Sequence, residues 1–343
     1  MTEAKPIRFA VIGMDHPHIY GQTQLLLDAG AELVSYYGED PELQQQFGKA
    51  FPQAKLARDA DEILEDPSID LIVSAAVPSE RSTIGVLAMQ HGKDFLSDKP
   101  AFTTLDQLAL ARQVQAETGR IYAVDYGERL ENRATVKAAE LVRAGEIGEV
   151  VNTVGLGPHR ARFHTRPPWF YIREKFGGIL IDIASHQIDQ FLYFTQADEV
   201  EIVASSAANF HHPQYPEFED FGEILLRTPA ATGYIRVDWF TPEGLDTWGD
   251  TRLTVIGTDG YVEVRKNIDI AGRPGGDHLF LVNQKETRYI NCQDVELPFG
   301  RQLLDDIRNR TETAIPQAHV FRVMELALQA QAKAARLGYL QGT

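Results

Sequence analysis

Two short stretches of the sequence carry side chains that could move a proton beside an alcohol. Lys99 lies in "SDKP" after a predicted strand, and its ammonium could stabilise a developing alkoxide or share a proton with a substrate. Asp182 and His186 are four residues apart on a predicted helix, so they share one face, which Asp189 extends. A histidine with a carboxylate one turn away is typical of a general base and its orienting partner. The structural alternatives are a surface lysine and a helix with a hydrogen-bonded polar stripe.

A loop near the N-terminus could hold a dinucleotide. The stretch "GMDHPHIYG", from Gly13 to Gly21, follows a predicted strand and opens a predicted helix, as a glycine-rich cofactor loop does. Gly13 can make the tight turn, but Asp15 and His18 stand where two further glycines are expected. The alternative interpretation is an ordinary strand-to-helix turn.

The polar residues of this loop have other uses. We expect Asp15 or His16 to cap the helix, with Pro17 in its first turn. Histidines two residues apart on a turn, such as His16 and His18, are more often polar surface or core groups than metal ligands. We therefore expect no metal.

The end of the second predicted strand bears on the choice of cofactor. An acidic residue usually binds the ribose hydroxyls there, but this sequence has Gly38, followed by Glu39 and Asp40. Asp40 is placed to cap the next helix. No arginine or lysine follows closely in the sequence to meet a 2′-phosphate, which favours NAD over NADP.

A basic segment, residues 157–175, stands out in an acidic chain and could bind a carboxylated or phosphorylated substrate. The alternative is an interface or surface loop. Its basic residues, with an embedded tryptophan, are Arg160, Arg162, Arg166, Arg173, Lys175 and Trp169.

The elements that must position these groups fall into two parts. Strands alternate regularly with helices up to residue 126, which predicts a doubly wound parallel sheet of the Rossmann type over 1–126. Residues 127–343 predict an α+β domain with a large, open, mostly antiparallel sheet. Within it we predict one helix that follows the two glycines of the stretch 176–194, a hairpin turn at 257–260 and a closing helix over 320–338.

Composition excludes several classes of protein. A net charge of −16 repels nucleic acid and anionic membranes, so neither is an expected partner. No apolar run approaches the ~18 residues of a membrane span, and the N-terminus lacks a signal-peptide pattern. The single cysteine, Cys292, permits no internal disulfide, which fits a cytoplasmic protein.

Several ordered motifs together resemble the Gfo/Idh/MocA family, the glucose-fructose oxidoreductase and inositol dehydrogenase group. They are the strand and loop at 7–21, "SDKP" (97–100) for the family's Glu-Lys-Pro, "GEIGEV" (145–150) and "GGILIDIASHQID" (177–189). The resemblance covers nearly the whole chain. It implies an NAD-binding Rossmann domain and a C-terminal domain whose open sheet forms homodimers or homotetramers. It also implies hydride transfer between NAD(P) and a CH–OH carbon of a sugar, a cyclitol or a related polyhydroxylated molecule, acidic ones included.

The resemblance also implies roles for individual residues. His186 would take the hydroxyl proton, Asp182 would orient it or the substrate, and Lys99 would lie near the nicotinamide and the substrate oxygen. The implied cofactor-binding residues are Gly13, Met14, Asp15, His16, Ala76, Pro78 and Lys99. The implied substrate-binding residues are Arg129, His159, Arg160, Trp169, Asp182 and His186.

The chain departs from the family pattern at three places: the two missing loop glycines, the missing acid after the second strand, and Asp98 in place of glutamate. Two alternatives to a dehydrogenase stay open. One is a redox-neutral lyase or hydrolase that retains NAD. The other is a non-catalytic regulator that binds a sugar or nucleotide, against which the retained Lys99, Asp182 and His186 argue.

Overall fold

A computed structural model describes residues 5–338 of the chain and divides it into two compact units. The first comprises the chain up to Asp125 together with Glu174–Gly177 and Pro298–Met324. The second comprises Tyr126–Arg173, Gly178–Leu297 and the chain from Glu325 onward.

Within the described range the strands and helices are as follows. The strands are β1 Arg8–Ile12, β2 Glu32–Tyr37, β3 Lys55–Leu56, β4 Leu71–Ser74, β5 Asp94–Asp98, β6 Tyr122–Asp125, β7 Val150–Pro158, β8 Glu201–Asn209, β9 Phe221–Arg227, β10 Thr232–Asp238, β11 Arg252–Gly257, β12 Gly260–Arg265, β13 His278–Asn283, β14 Thr287–Asn291 and β15 Ala335–Gly338. The α-helices are α1 His18–Asp28, α2 Pro41–Ala50, α3 Ala60–Leu64, α4 Pro78–Gln90, α5 Leu105–Thr118, α6 Gly127–Leu130, α7 Arg133–Arg143, α8 Arg173–Phe176, α9 Ile179–Asp182, α10 Ala184–Thr195, α11 Phe299–Asn309 and α12 Gln317–Lys333. Between Arg8 and Gly338, no helix is both long enough and apolar enough to cross a membrane.

The sheet of the first unit is fully parallel, with strand order β3-β2-β1-β4-β5-β6. Phe9, Val11, Ile72, Val73 and Leu96 are completely shielded from solvent, as expected for strands covered on both faces. The predicted doubly wound Rossmann sheet is confirmed. Because the strand order reverses between β1 and β4, the crevice at their carboxyl ends is where such a fold binds ligands.

The second unit is built on a nine-stranded sheet, ordered β14-β13-β12-β11-β7-β10-β9-β8-β15. Only the pairs β7–β10 and β8–β15 are parallel, so the predicted mostly antiparallel sheet is confirmed. The predicted hairpin at 257–260 joins β11 to β12. A Cβ added at Gly155 would lie 2.7 Å from Gln187, and one added at Gly233 would lie 2.5 Å from Phe191. These glycines therefore let α10 pack closely on β7 and β10.

Two of the predicted helices are wrong in extent. The helix predicted after the two glycines of 176–194 is broken: α9 ends at Asp182, and α10 begins at Ala184. The apolar pattern runs through Ile183 without a glycine or proline, so nothing in it marks the break. The helix predicted over 320–338 ends at Lys333, and the chain then forms β15, whose pairing with β8 satisfies the backbone groups of that sheet edge.

Candidate functional site

The loop between β1 and α1 requires glycine at its first position. Gly13 has φ +81°, and a Cβ there would lie only 2.4 Å from the Cβ of Ala76. The backbone is tied to the two neighbouring strands, because the Gly13 amide donates to Tyr37 O at 2.9 Å and the His16 amide donates to Ala75 O at 2.9 Å. The loop thus lies at the carboxyl ends of β1, β2 and β4.

The start of α1 differs from the predicted cap. Pro17 occupies the N-cap position and makes no side-chain capping bond, so neither Asp15 nor a first-turn Pro17 has its predicted place. His16 instead brings its Nδ1 within 3.3 Å of the His18 amide, which donates to it. Burial raises the pKa of Asp15, and the nearby Glu80 carboxylate raises it further.

Met14 gives a structural reason for the missing acid after β2. Its side chain is buried, and a Cβ at Gly38 would lie 3.2 Å from its terminal methyl carbon. A carboxylate side chain at position 38 would therefore compete with Met14 for space. Asp40 accepts bonds from the Glu42 and Leu43 amides, which confirms it as the cap of α2.

Asp98, at the end of β5, is the centre of a buried polar cluster. One carboxylate oxygen lies 2.9 Å from His18 Nδ1, and the other lies 3.0 Å from Arg81 Nη2. His16 Nδ1 lies 3.6 Å from that second oxygen. Burial alone would raise the pKa of the Asp98 carboxyl, but His18, Arg81 and His16 together hold it well below its ordinary value. Burial and the neighbouring His18 lower the pKa of His16 well below its ordinary value.

Arg81 fixes the backbone around Lys99. Its guanidinium is 1% exposed and donates to Ala76 O at 2.7 Å, to Lys99 O at 2.6 Å and to Pro100 O at 3.1 Å. Lys99 itself is buried, and its peptide bond to Pro100 is cis. In the first unit the structure therefore brings together Lys99, Ala76 and the β1–α1 loop at one edge of the sheet.

In the second unit, Asp182 and His186 flank the break between α9 and α10. The His186 amide donates to Ile183 O at 3.1 Å, and the His186 carbonyl accepts from Gln190 Nε2 at 2.9 Å. The His186 ring is buried and meets Tyr126 edge-on, with 6.4 Å between ring centres. Asp182 is partly exposed. The backbone of His186 is thus bonded within its own segment, and its ring is shielded from solvent.

A buried ionic network anchors α10. Lys266 Nζ lies 2.7 Å from Glu128 Oε2 and 2.9 Å from Gln190 Oε1. Gln187 Nε2 donates to the same Glu128 oxygen at 2.8 Å. Burial alone would raise the pKa of Glu128, but Lys266, followed by His186 and His159, lowers it to about 2. Burial lowers the pKa of Lys266.

A second ion pair anchors α10, and it joins Asp189 of that helix to Arg129 of α6. Arg129 forms a bidentate pair with Asp189 at 2.6 and 2.7 Å, and its guanidinium carbon stacks 4.4 Å from the centre of the Tyr193 ring. Asp189 therefore pairs with Arg129, which lies on α6.

Three arginines of the basic segment are already engaged by other groups of the protein and do not converge on one anion-binding pocket. The Arg166 guanidinium stacks on Phe170 and Trp239, and Arg173 pairs with Glu219. Arg160 donates to the carbonyl of Pro242 at 2.9 Å and to that of Leu245. These contacts tie the segment to other parts of the second unit.

His159 and Trp169 of this segment are placed differently from its arginines. The His159 ring lies 4.6 Å from the Trp248 ring and 5.4 Å from the Trp239 ring, and its Nδ1 lies 3.0 Å from Gly157 O. Trp169 is partly exposed.

Sequence reasoning did not single out Arg81, Gln22, Glu128 or Lys266. Each is a polar residue whose type and spacing predict an exposed side chain, yet each is buried. Gln22 Nε2 donates to Asp125 at 3.2 Å. The position of Arg81 in the first turn of a helix, three residues after Pro78 in "VPSER", is a weak signal that could have indicated it.

Comparison with known proteins agrees with this geometry. Residues 7–126 match the model of the oxidoreductase family with an NAD-binding Rossmann fold, and residues 135–263 match the GFO/IDH/MocA C-terminal domain. The crystal structure of a "putative oxidoreductase" from Erwinia carotovora atroseptica SCRI1043 is 46% identical and covers 97% of this chain and 100% of its own, with a TM-score of 0.94. The chain belongs to the Gfo/Idh/MocA family of oxidoreductases, and its first domain is an NAD-binding Rossmann domain.

Two further relatives are informative. The scyllo-inositol 2-dehydrogenase (NAD(+)) of Bacillus subtilis (strain 168) is 27% identical over 299 residues, 85% of this chain and 84% of that protein. A levoglucosan dehydrogenase in complex with NADH and levoglucosan has a TM-score of 0.77 at 16% identity, over 96% of both chains, which shows a shared fold.

Proposed function

We propose that this protein is a dehydrogenase that uses NAD to oxidise a CH–OH carbon of a sugar, a cyclitol or a related polyhydroxylated molecule, or to reduce the corresponding carbonyl. The observation that carries the proposal is the arrangement at the carboxyl edge of the parallel sheet. There the Gly13 loop lies at the strand-order reversal, and Lys99 follows β5 at the same edge. The inositol-oxidising relative supports the substrate class.

Gly13, the first residue of the β1–α1 loop, fits the role of a dinucleotide-binding glycine. The space that a Cβ at Gly13 would fill is closed by Ala76, so the backbone there stays bare and can approach a pyrophosphate. The residues we propose to hold the cofactor are Gly13, Met14, Asp15, His16, Ala76, Pro78 and Lys99. Bound nicotinamide would supply the hydride acceptor or donor. No arginine or lysine follows Gly38 closely in the sequence to meet a 2′-phosphate, which favours NAD over NADP.

The protein side chains would handle the proton. We assign His186 as the base for the substrate hydroxyl, Asp182 as its orienting partner, and Lys99 as the cation that stabilises the oxygen as its charge develops. Residues 1–126 would bind the cofactor and residues 127–343 the substrate. His159 and Trp169 are proposed substrate contacts.

We propose that Arg129 and Arg160 contribute to substrate binding indirectly. Their guanidinium groups already bond to Asp189 and to backbone carbonyls, so we propose that they position the substrate pocket.

The test is direct. The purified protein is titrated with NADH and with NADPH by fluorescence, and NAD⁺-dependent absorbance is then followed with a panel of inositols, aldoses and sugar acids. We expect tighter binding of NADH and turnover of at least one polyol. Failure to bind either cofactor at millimolar concentration would sink the proposal. Turnover of a sugar derivative without net NADH formation would favour the redox-neutral alternative.

The outer face of the nine-stranded sheet supports a homodimer or homotetramer. Leu225 and Tyr234 are opposite each other on β9 and β10, and Ile256 and Tyr261 are opposite each other on β11 and β12, so each pair shares a face. All four side chains are at least 36% exposed. A face of large apolar side chains on this sheet is typical of an interface. We also propose a cytoplasmic location for the enzyme.

The Tyr234→Glu variant should dissociate the oligomer, because the substitution buries a carboxylate at the proposed interface. The mass measured by light scattering after size-exclusion chromatography should fall to that of a single chain. Leu110→Glu is the matched control, since Leu110 is exposed on α5 of the first unit. A wild-type protein that already elutes as a monomer would overturn this assignment.

A further inference from the structure

We propose that His16, His18 and Asp98 form a binding site for a divalent transition-metal ion in the β1–α1 region. One ligand atom from each residue lies within 4.8 Å of the other two. His18 Nδ1 lies 2.9 Å from one Asp98 oxygen, and His16 Nδ1 lies 3.6 Å from the other. The sequence shows only the two histidines, because Asp98 is 80 residues away from His18 in the chain.

The spacing of these atoms suits a small metal ion. Ligands bound to zinc at about 2.0–2.2 Å in tetrahedral or octahedral positions lie roughly 3.0–3.5 Å from one another. The two measured separations, 2.9 and 3.6 Å, run from the histidines to the two Asp98 oxygens and are close to that range. The geometry leaves the remaining coordination positions to solvent or to a ligand.

The ligand set also indicates which ions would bind. Two imidazoles and one carboxylate suit zinc, cobalt or nickel, whereas magnesium and calcium prefer oxygen ligands throughout.

The residues around the proposed ligands also resemble the outer shell of a metal site. Arg81 holds the second Asp98 oxygen at 3.0 Å, as outer-shell donors hold ligating carboxylates in metalloproteins. The His18 side chain is 48% exposed, which gives an ion a path from solvent. Arg81 and Lys99 add positive charge near His16 and oppose the ion, so we expect micromolar rather than nanomolar affinity.

The experiment uses the full chain without a histidine tag, stripped with a chelator and titrated with Co²⁺. Coordination should produce visible absorbance with a stoichiometry of one ion per chain, and Zn²⁺ should displace it while Mg²⁺ should not. His18→Ala should weaken Co²⁺ binding at least about tenfold, since even outer-shell changes at metal sites cost that much. His211→Ala is the matched control, because His211 is an exposed histidine of the second unit.

Two results would overturn the proposal: no Co²⁺ binding below millimolar concentration, or equal binding by the His18→Ala variant and the wild-type protein. Circular dichroism checks that the variants are folded. Because His18 is largely exposed, its loss should leave the fold intact. The NADH titration is repeated on the metal-free protein, so that failure of the metal site and failure of the proposed dehydrogenase activity are told apart.

Discussion

The Lys99→Ala variant should lose about 10²–10⁴-fold in kcat, the usual contribution of a positioned proton-transfer group. The physical reason is that the ammonium follows β5 at the carboxyl edge of the sheet, where it would stabilise charge on the substrate oxygen. NADH affinity should fall less than kcat, since Lys99 is only one of the residues proposed to hold the cofactor and Arg81 still fixes the backbone carbonyl of residue 99. Steady-state kinetics on the polyol found by the substrate screen, with NADH fluorescence titration, measure both quantities.

Two companion variants sharpen this test. Lys99→Arg keeps the positive charge but cannot release a proton near neutral pH, so it should stay impaired if Lys99 exchanges a proton and recover if Lys99 supplies only charge. Lys49→Ala changes an exposed lysine in the last turn of α2 and should leave kcat unaltered. An unchanged kcat in Lys99→Ala would remove Lys99 from the catalytic assignment.

The Lys266→Met variant should destabilise the protein by about 3–5 kcal/mol, because it leaves the Glu128 carboxylate buried without its cation. Lys266 and Glu128 are both almost completely shielded, and their ionic contact measures 2.7 Å. Urea unfolding followed by circular dichroism would give the change in the free energy of unfolding of the protein.

The double variant Glu128→Gln with Lys266→Met is the control, since it removes both charges together. It should recover a large part of the lost stability. A single variant as stable as the wild-type protein would show that Glu128 is not held as a buried ion.

The same pair also gives the wild-type protein a defined pH dependence. The pKa of Glu128 is about 2 in the folded protein, against 4.5 ordinarily, so the unfolded chain takes up the proton first as the pH falls. The stabilisation is therefore fully present above pH 4.5 and is lost towards pH 2. In the Lys266→Met variant this loss should disappear, because burial then raises the pKa of Glu128 without its main opposing charge.

The fold was largely predictable because it follows local patterns. The alternation of apolar strands with helices up to residue 126 gave the parallel sheet, and Asp40 gave the start of α2. The break at Ile183 was not predictable, since an apolar run without glycine or proline looks the same in one helix or two. It depends on how α9 and α10 each pack against the sheet, which is a tertiary effect.

The candidate site was predictable only in part, for a related reason. Lys99, Asp182 and His186 have types and positions that indicate chemistry. Glu128 and Arg81 look like ordinary surface charges, and only the fold reveals that they are buried and paired. Sequence spacing likewise carries no information about the approach of Asp98 to His18, because the two residues lie on different elements that become neighbours only in the folded sheet.

The division of the chain into interleaved segments has a consequence for its biosynthesis. The Rossmann sheet is complete in sequence at Asp125, yet Arg310 pairs with Asp94 at 2.6 Å, and Gln317 accepts a hydrogen bond from the Tyr122 amide at 2.8 Å. These two partners are synthesised 216 and 195 residues after the sheet residues that they contact. A nascent chain or a fragment that ends near residue 126 therefore lacks both contacts, and we expect the cofactor domain to mature only after residue 317 has been added.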